Sequence, residues 1–209
     1  MKLAQDKTYM KTLTTKLLRK VVILNGSPNA DGHTAAALKL VEAPLKATGI
    51  ETEWVQLGKK PIRGCIGCMG CKRSGKNRCI FADDLCNTLI DKLIAADGIV
   101  VGTPTYYAGV NGALKALLDR VFFAGAAAGA QLFKGRVGAA VATQLRSGGT
   151  DAIDQINKYF QFSVMPVASG NYWNILFDPE SPTGRDPMGE DCLKELGESI
   201  ARLVKAVMK

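Results

Sequence analysis

The sequence of 209 residues has one histidine and no apolar run long enough to span a membrane. A transmembrane helix needs about 18–20 consecutive apolar residues, and no stretch approaches that length. The first twenty residues carry six Lys or Arg and lack the apolar core of a signal peptide. These absences argue against export and against a membrane partner, so we expect a cytoplasmic protein.

Two common nucleotide-binding motifs are also missing. The loop at residues 25–34 has neither the Gly-Lys-Ser/Thr of a P-loop nor the GxGxxG pattern of dinucleotide-binding folds. The chain contains no internal repeat and no low-complexity linker. Its 47% hydrophobic and 22% charged residues are ordinary for a folded domain, which excludes wholesale disorder.

The net charge of +8 comes from two short segments. Residues 1–20 contain six Lys or Arg and one acid, and residues 59–78 contain seven Lys or Arg and no acid. The remainder has 14 basic and 18 acidic residues, unlike a protein built to coat nucleic acid. We therefore expect no nucleic-acid partner. Residues 1–20 form a basic N-terminal arm, either solvated or docked on a partner subunit.

Strand-like and helix-like patterns alternate along the domain at residues 21–209, which includes a cysteine-rich loop at 59–82. Apolar, β-branched runs predict five strands, at 21–24, 53–57, 98–102, 137–142 and 162–167. Amphipathic spacing predicts helices at 33–48, 83–93, 111–123, 149–160 and 193–207. Pro44 is expected to kink or break the first helix. Residues 170–187 are expected to form a long loop. This alternation predicts an α/β fold with a parallel sheet.

Polar segments follow three of these strands, and parallel sheets bind ligands beyond their strand ends. The first segment, residues 25–34, offers the hydroxyls of Ser27 and Thr34, backbone donors and a helix N-terminus. These are the groups that hold a phosphate. His33 is either a phosphate contact or an exposed loop residue.

The other two segments suit a planar group. Tyr106 and Tyr107 follow the third strand, where a flat ring could pack against them. Gly148 and Gly149 follow the fourth strand and let backbone N–H groups approach a ligand closely. A phosphate and a planar group in one crevice describe a mononucleotide such as FMN.

Several segments together match one family. They are Asn25-Gly26-Ser27-Pro28, Gly32-His33-Thr34, Thr103-Pro104-Thr105-Tyr106-Tyr107, Asn111-Gly112-Ala113-Leu114-Lys115, Leu118-Asp119-Arg120, Gly148-Gly149 and Asp186-Pro187-Met188-Gly189. On these residues the sequence resembles the NADPH-dependent FMN reductase family of the flavodoxin-like fold, especially its iron–sulfur flavoprotein branch.

The resemblance implies a three-layer sandwich, with a five-stranded parallel sheet of order 2-1-3-4-5 and helices on both faces. It also implies a homodimer or homotetramer and a bound FMN that carries the chemistry, so no catalytic side chain is predicted. The predicted FMN contacts are Ser27, Asn29, His33, Thr34, Pro104, Thr105, Tyr106, Tyr107, Ala108, Gly109, Thr143, Gln144, Ser147, Gly148 and Gly149.

The cysteines carry the strongest chemical signal. Cys65, Cys68 and Cys71 are three residues apart and Cys79 follows after seven more residues. Thiolates at such spacing can wrap one corner of a cubane, and the motif resembles that of iron–sulfur flavoproteins with one [4Fe–4S] cluster. Zinc and unmetallated thiols are the alternatives. Cys86 and Cys192 stand apart and are predicted to be structural.

Basic residues surround these thiols, namely Arg63, Lys72, Arg73, Lys76 and Arg78. Their charge suits an anionic cluster, NADPH or an acidic carrier. The predicted function is an FMN-dependent oxidoreductase that passes electrons from NAD(P)H, or from a carrier such as ferredoxin through a cluster, to a flavin, quinone or other acceptor. A non-enzymatic electron carrier and a cysteine-based redox sensor are the alternatives.

Overall fold

Six β-strands form the centre of a computed structural model that describes residues 19–181 and 184–207. In chain order they are β1 (Lys20–Asn25), β2 (Glu51–Gln56), β3 (Gly98–Tyr106), β4 (Gly109–Val110), β5 (Val137–Gln144) and β6 (Ile175–Phe177). Five are parallel, in the spatial order β2-β1-β3-β5-β6, while β4 turns back and pairs antiparallel with β3. Counted among the parallel strands alone, this is the order 2-1-3-4-5, so the predicted strand order is confirmed.

Helices cover both faces of this sheet. They are α1 (His33–Ala47), α2 (Gly70–Ser74), α3 (Leu85–Ile94), α4 (Gly112–Gly125), α5 (Gly149–Phe162) and α6 (Pro187–Val207). The core on the α1 and α6 side contains Val21 and Ile23, and the core on the α3, α4 and α5 side contains Val22 and Leu24. Alternate residues of a strand point to opposite faces, so a strand covered on both sides is apolar throughout. The three-layer sandwich is confirmed.

The predicted fifth strand at residues 162–167 is wrong. α5 continues to Phe162, and of this segment only Val167 pairs with the sheet, in one bridge to Gly138. Pro166 has no N–H to donate to a strand ladder. The fifth parallel strand is β6, within a segment expected to be a loop, and its three residues are too few to show a strand pattern.

Pro44 does not break α1, which continues through it to Ala47. The proline lies where α1 and α6 approach closely: a Cβ added to Gly197 of α6 would lie 2.4 Å from the Val41 carbonyl oxygen and 3.1 Å from Pro44 Cγ. Packing against α6 therefore holds the last turn of α1 in place although proline removes one of its backbone donors.

The predicted N-terminal arm lies outside the described residues, apart from Arg19 and Lys20. Within the described ranges, none of the helices combines the length and the apolar content that crossing a bilayer requires.

Candidate functional site

The strand register brings the three predicted loops to one edge of the sheet. Asn25 at the end of β1 is level with Gly102, Pro104 is level with Thr143, and Gln144 is level with Phe177. The carboxyl ends of parallel strands meet at such an edge, where ligands of open α/β sheets bind. Residues far apart in sequence thus form one crevice.

The side-chain amides of Asn25, which is buried, and Gln56, which is half-buried, hold the loop after β1 in place. Asn25 Nδ2 donates to Gln56 Oε1 at 2.7 Å, and Gln56 Nε2 donates to the Ser27 carbonyl oxygen at 2.6 Å. Asn25 Oδ1 in turn accepts from the Ser27 N–H at 3.1 Å. Sequence reasoning missed Gln56, whose polar side chain at a strand end was the available signal. These bonds fix the shape of the loop independently of a ligand.

The start of α1 is open to an anion. No side chain in the described part of the structure caps it, whereas Asp84 caps α3 and Asn111 caps α4. The N–H groups of its first turn are therefore available. The Ser27 hydroxyl oxygen accepts from the Asn29 N–H at 3.1 Å, which leaves its own hydrogen to donate.

Two side chains link α1 to neighbouring strand ends. The buried hydroxyls of Thr34 and Thr143 are 2.9 Å apart and share one hydrogen bond, so one hydroxyl hydrogen of the pair is still available. His33 Nδ1 contacts Asp178 Oδ2, just after β6. His33 is half exposed at the mouth of the crevice, and Asp178 is a neighbour that the sequence did not suggest.

The second loop is a tight hairpin between β3 and β4. Its two central residues, Tyr107 and Ala108, both have left-handed backbone angles, with φ of +49° and +57°. Tyr106 is half exposed and Tyr107 projects fully into solvent. The Thr105 hydroxyl is buried, yet it has no hydrogen-bond partner among the residues that the structure describes. A buried hydroxyl without a partner costs about 1–3 kcal/mol, so this position suits a ligand group.

The third loop, which joins β5 to α5, packs directly on the second. A Cβ added to Gly148, whose φ is +90°, would lie 2.5 Å from Ala108 Cα, so only glycine permits this approach. The Gly149 N–H donates to Gln144 Oε1 at 2.7 Å, which fixes the start of α5. Ser147 is exposed beside them. Gly109, also predicted as a contact, lies beside the Gln155 side chain of α5.

An aromatic cavity of about 450 Å³ borders the third loop. Its lining includes Arg146 and Gly148 of the third loop and Met188 in the first turn of α6. The segment before α6 contributes Tyr172, Trp173 and Phe177. Trp173 and Met188 are more than half exposed, although both are large and apolar. The sequence did not suggest Tyr172, Trp173 and Phe177, because no strand or helix pattern marked their segment.

The four crowded cysteines line one small cavity together with Arg120 and Phe123 of α4. Cys71 is buried at the start of α2, Cys68 and Cys79 are half buried, and Cys65 is exposed. Of the surrounding basic residues, Arg73 donates to the Cys68 carbonyl oxygen at 2.6 Å and the Arg63 guanidinium lies 4.5 Å from the centre of the Phe81 ring.

Arg120 fastens this loop to the body of the protein. Its guanidinium contacts the Asp84 carboxylate and donates to the carbonyl oxygens of Arg63 and Phe81, at 3.1 and 2.9 Å. Its Nε donates to Cys79 Sγ at 3.3 Å. Burial lowers the pKa of Arg120, but the bonds to Asp84 and Cys79 outweigh burial and raise it above the ordinary value. The available signal in the sequence was that Arg120 is charged although it lies within the apolar stripe of a helix.

Two buried thiols, those of Cys71 and Cys86, have raised pKa values. Burial raises the pKa of Cys71, and the charge that Cys79 and Cys65 carry when ionised raises it further. Burial raises the pKa of Cys86 to about 12. In the part of the chain that is described, no three His, Cys, Asp or Glu side chains surround a single point as one metal ion requires.

The residues present fit FMN and an iron–sulfur cluster. An uncapped helix start, the Ser27 hydroxyl and the unpartnered Thr105 hydroxyl suit a mononucleotide. The four thiols suit a cluster, in which each thiolate binds its own iron and no single point is shared. The cysteine cavity measures about 20 Å³, so its wall has to move outward to admit a cluster. The outer wall at Cys65 and Ile66 is exposed and not packed in the core, so it can move without disturbing the core.

The sequence model described as NADPH-dependent FMN reductase matches residues 19–180. An iron–sulfur flavoprotein of Methanocaldococcus jannaschii is 34% identical over 204 residues, which cover 91% of this chain and 100% of the relative. An iron–sulfur flavoprotein of Archaeoglobus fulgidus is 35% identical over 173 residues, which cover 81% of this chain and 79% of the relative.

Solved structures show the same fold. RosB, with the bound intermediate 8-demethyl-8-formylriboflavin-5′-phosphate, has a TM-score of 0.67 at 13% identity, over 91% of this chain and 80% of that chain. The predicted FMN cofactor and FMN-dependent oxidoreductase activity are confirmed by the family match, which extends over most of the chain. The chain belongs to the NADPH-dependent FMN reductase family, close to its iron–sulfur flavoprotein members.

Proposed function

We propose that this oxidoreductase passes electrons from NAD(P)H or a small electron carrier, through FMN in the crevice, to a planar acceptor such as a flavin or quinone. A [4Fe–4S] cluster on Cys65, Cys68, Cys71 and Cys79 serves as a second redox centre. The observation that carries the proposal is the convergence of these four thiols and a buried arginine in one cavity. The iron–sulfur names of the relatives support the same assignment.

FMN, when bound, supplies the redox chemistry, and the protein binds and orients it. The first turn of α1 and the hydroxyls of Ser27 and Thr34 hold the phosphate. Thr105 and the backbone around Gly148 hold the ring system. Charge-assisted hydrogen bonds to the phosphate supply much of the affinity because they are about twice as strong as neutral ones.

Enzyme turnover is favoured over a pure carrier role by the charge of the chain. Carriers that dock on basic partners are strongly acidic, whereas this chain has a net charge of +8. The basic loop around the cysteines instead suits NADPH phosphates or an acidic carrier. Anaerobic oxidation of NADPH in the presence of flavin or quinone acceptors tests this, since a carrier would show no multiple turnover with either.

We place the acceptor in the aromatic cavity beside the third loop. Its volume of about 450 Å³ lies within the usual range for small-molecule sites. The exposed ring of Trp173 offers a surface on which a planar acceptor stacks.

Replacing Trp173 with alanine should raise the KM for a quinone acceptor by about three- to tenfold, the equivalent of a stacking interaction of about 0.5–1.5 kcal/mol. The rate of flavin reduction by NADPH in stopped flow should not change, and Trp173→Phe should restore most of the affinity. An unchanged acceptor KM in Trp173→Ala would exclude this cavity as the acceptor site.

We also propose that the protein is at least a homodimer. The exposed side chains of Phe123 in α4 and Phe162 in α5 border a groove of about 520 Å³ between these helices. Large exposed apolar side chains clustered in this way favour association. Light scattering at micromolar concentration should give at least twice the monomer mass of 22.3 kDa, and a purely monomeric sample would contradict the proposal.

A further inference from the structure

Arg120 makes a contact that its structural role does not require. The side chain is only 1% exposed, and the Asp84 carboxylate and two backbone carbonyls already accept from its terminal nitrogens. A further donor, the Nε–H, points at Cys79 Sγ at 3.3 Å. A neutral thiol is a weak acceptor, whereas a thiolate bound to iron is negatively charged and accepts strongly.

We propose that Arg120 is a positioning residue of the iron–sulfur cluster, holding Cys79 in place and setting the reduction potential through its charge and its N–H···S bond. This inference rests on the proposed cluster. Through Asp84, Arg63 and Phe81, the same guanidinium fastens the loop on both sides of the cysteines. The ligand loop is therefore anchored to α4 before metal binds.

The physical basis is the change of charge on reduction. Accepting one electron makes the cluster more negative by one charge, so a nearby cation stabilises the reduced form more than the oxidised form. Net charge and hydrogen bonds to sulfur are among the factors that set such potentials. Asp84 partly offsets the charge of Arg120, so removing the arginine and removing the carboxylate should shift the potential in opposite directions.

The test uses the full chain, reconstituted anaerobically with iron and sulfide. Arg120→Gln should lower the midpoint potential of the cluster and reduce its apparent affinity for iron by about 10- to 100-fold, the usual cost of losing an outer-shell partner. Arg120→Lys should keep more iron than Arg120→Gln, because the charge stays. Asp84→Asn should raise the potential. The potential is read from an anaerobic titration followed by electron paramagnetic resonance.

Arg136 provides a matched control, because among the described residues its half-buried guanidinium donates to four backbone carbonyls, those of Leu93, Ala96, Leu132 and Ile94. Arg136→Gln should lower the melting temperature and leave the cluster potential unchanged. A wild-type potential in Arg120→Gln, or shifts of the same sign in Arg120→Gln and Asp84→Asn, would overturn the proposal. If Arg120→Gln does not fold, Asp84→Asn decides it: a raised potential supports the proposal, and an unchanged or lowered potential overturns it. Wild-type protein that takes up no iron would overturn the cluster itself, and this role with it.

Discussion

Replacing any one of Cys65, Cys68, Cys71 and Cys79 with alanine should remove the iron from anaerobically prepared protein and leave FMN bound. Wild-type protein should contain about four iron atoms per chain, as one [4Fe–4S] cluster requires, with broad brown absorption beneath the flavin bands. Each thiolate binds a different iron, so losing one ligand opens one corner of the cluster. FMN should stay, because the groups proposed to hold its phosphate lie on the loop after β1 and at the start of α1.

Two matched controls come from the remaining cysteines. Cys86 and Cys192 are both buried, and burial raises the pKa of each thiol. Cys86→Ala and Cys192→Ala should therefore leave the iron content unchanged. Iron and zinc are measured by elemental analysis after anaerobic reconstitution. Uptake of one zinc per chain, or of no metal, would refute the cluster and leave an FMN reductase with free thiols.

Loss of the hydroxyls of Ser27 and Thr34 should weaken FMN binding more than any other pair of substitutions in the crevice. A hydrogen bond to a charged group contributes about 1.5–3 kcal/mol, so each alanine should raise the Kd of FMN by about ten- to a hundredfold. The Kd is measured by quenching of flavin fluorescence when the apoprotein is added. The melting temperature of the apoprotein should fall little, because Asn25 and Gln56 hold the loop without a ligand.

Riboflavin lacks the phosphate, so its affinity shows whether the two hydroxyls bind the phosphate or shape the crevice as a whole. Its affinity should be nearly the same in wild type and in the double variant. Thr48→Ala is the matched hydroxyl control, because the Thr48 hydroxyl donates to the Leu45 carbonyl oxygen at the far end of α1. Equal losses of riboflavin and FMN affinity would mean that these hydroxyls shape the crevice and do not bind the phosphate.

The layers of the fold were predictable because burial leaves a local pattern. Val21 to Leu24 is apolar at every position, as a strand covered on both faces must be, and α4 shows an apolar stripe at helical spacing. The convergence of the three loops was predictable for a related reason. In a parallel sheet all carboxyl ends lie on one edge, so the residues that follow each strand converge regardless of their separation in sequence.

What the sequence determined by itself was therefore the family, the order of the parallel strands and the convergence of three loops at one edge of the sheet. Only the tertiary structure decided that β6 lies at residues 175–177, that Trp173 faces a cavity beside the third loop, and that Arg120 reaches Cys79. These features depend on contacts between residues about 30 to 40 positions apart, such as Cys79 and Arg120. Such contacts arise when elements pack, and they leave no periodic signal in the chain.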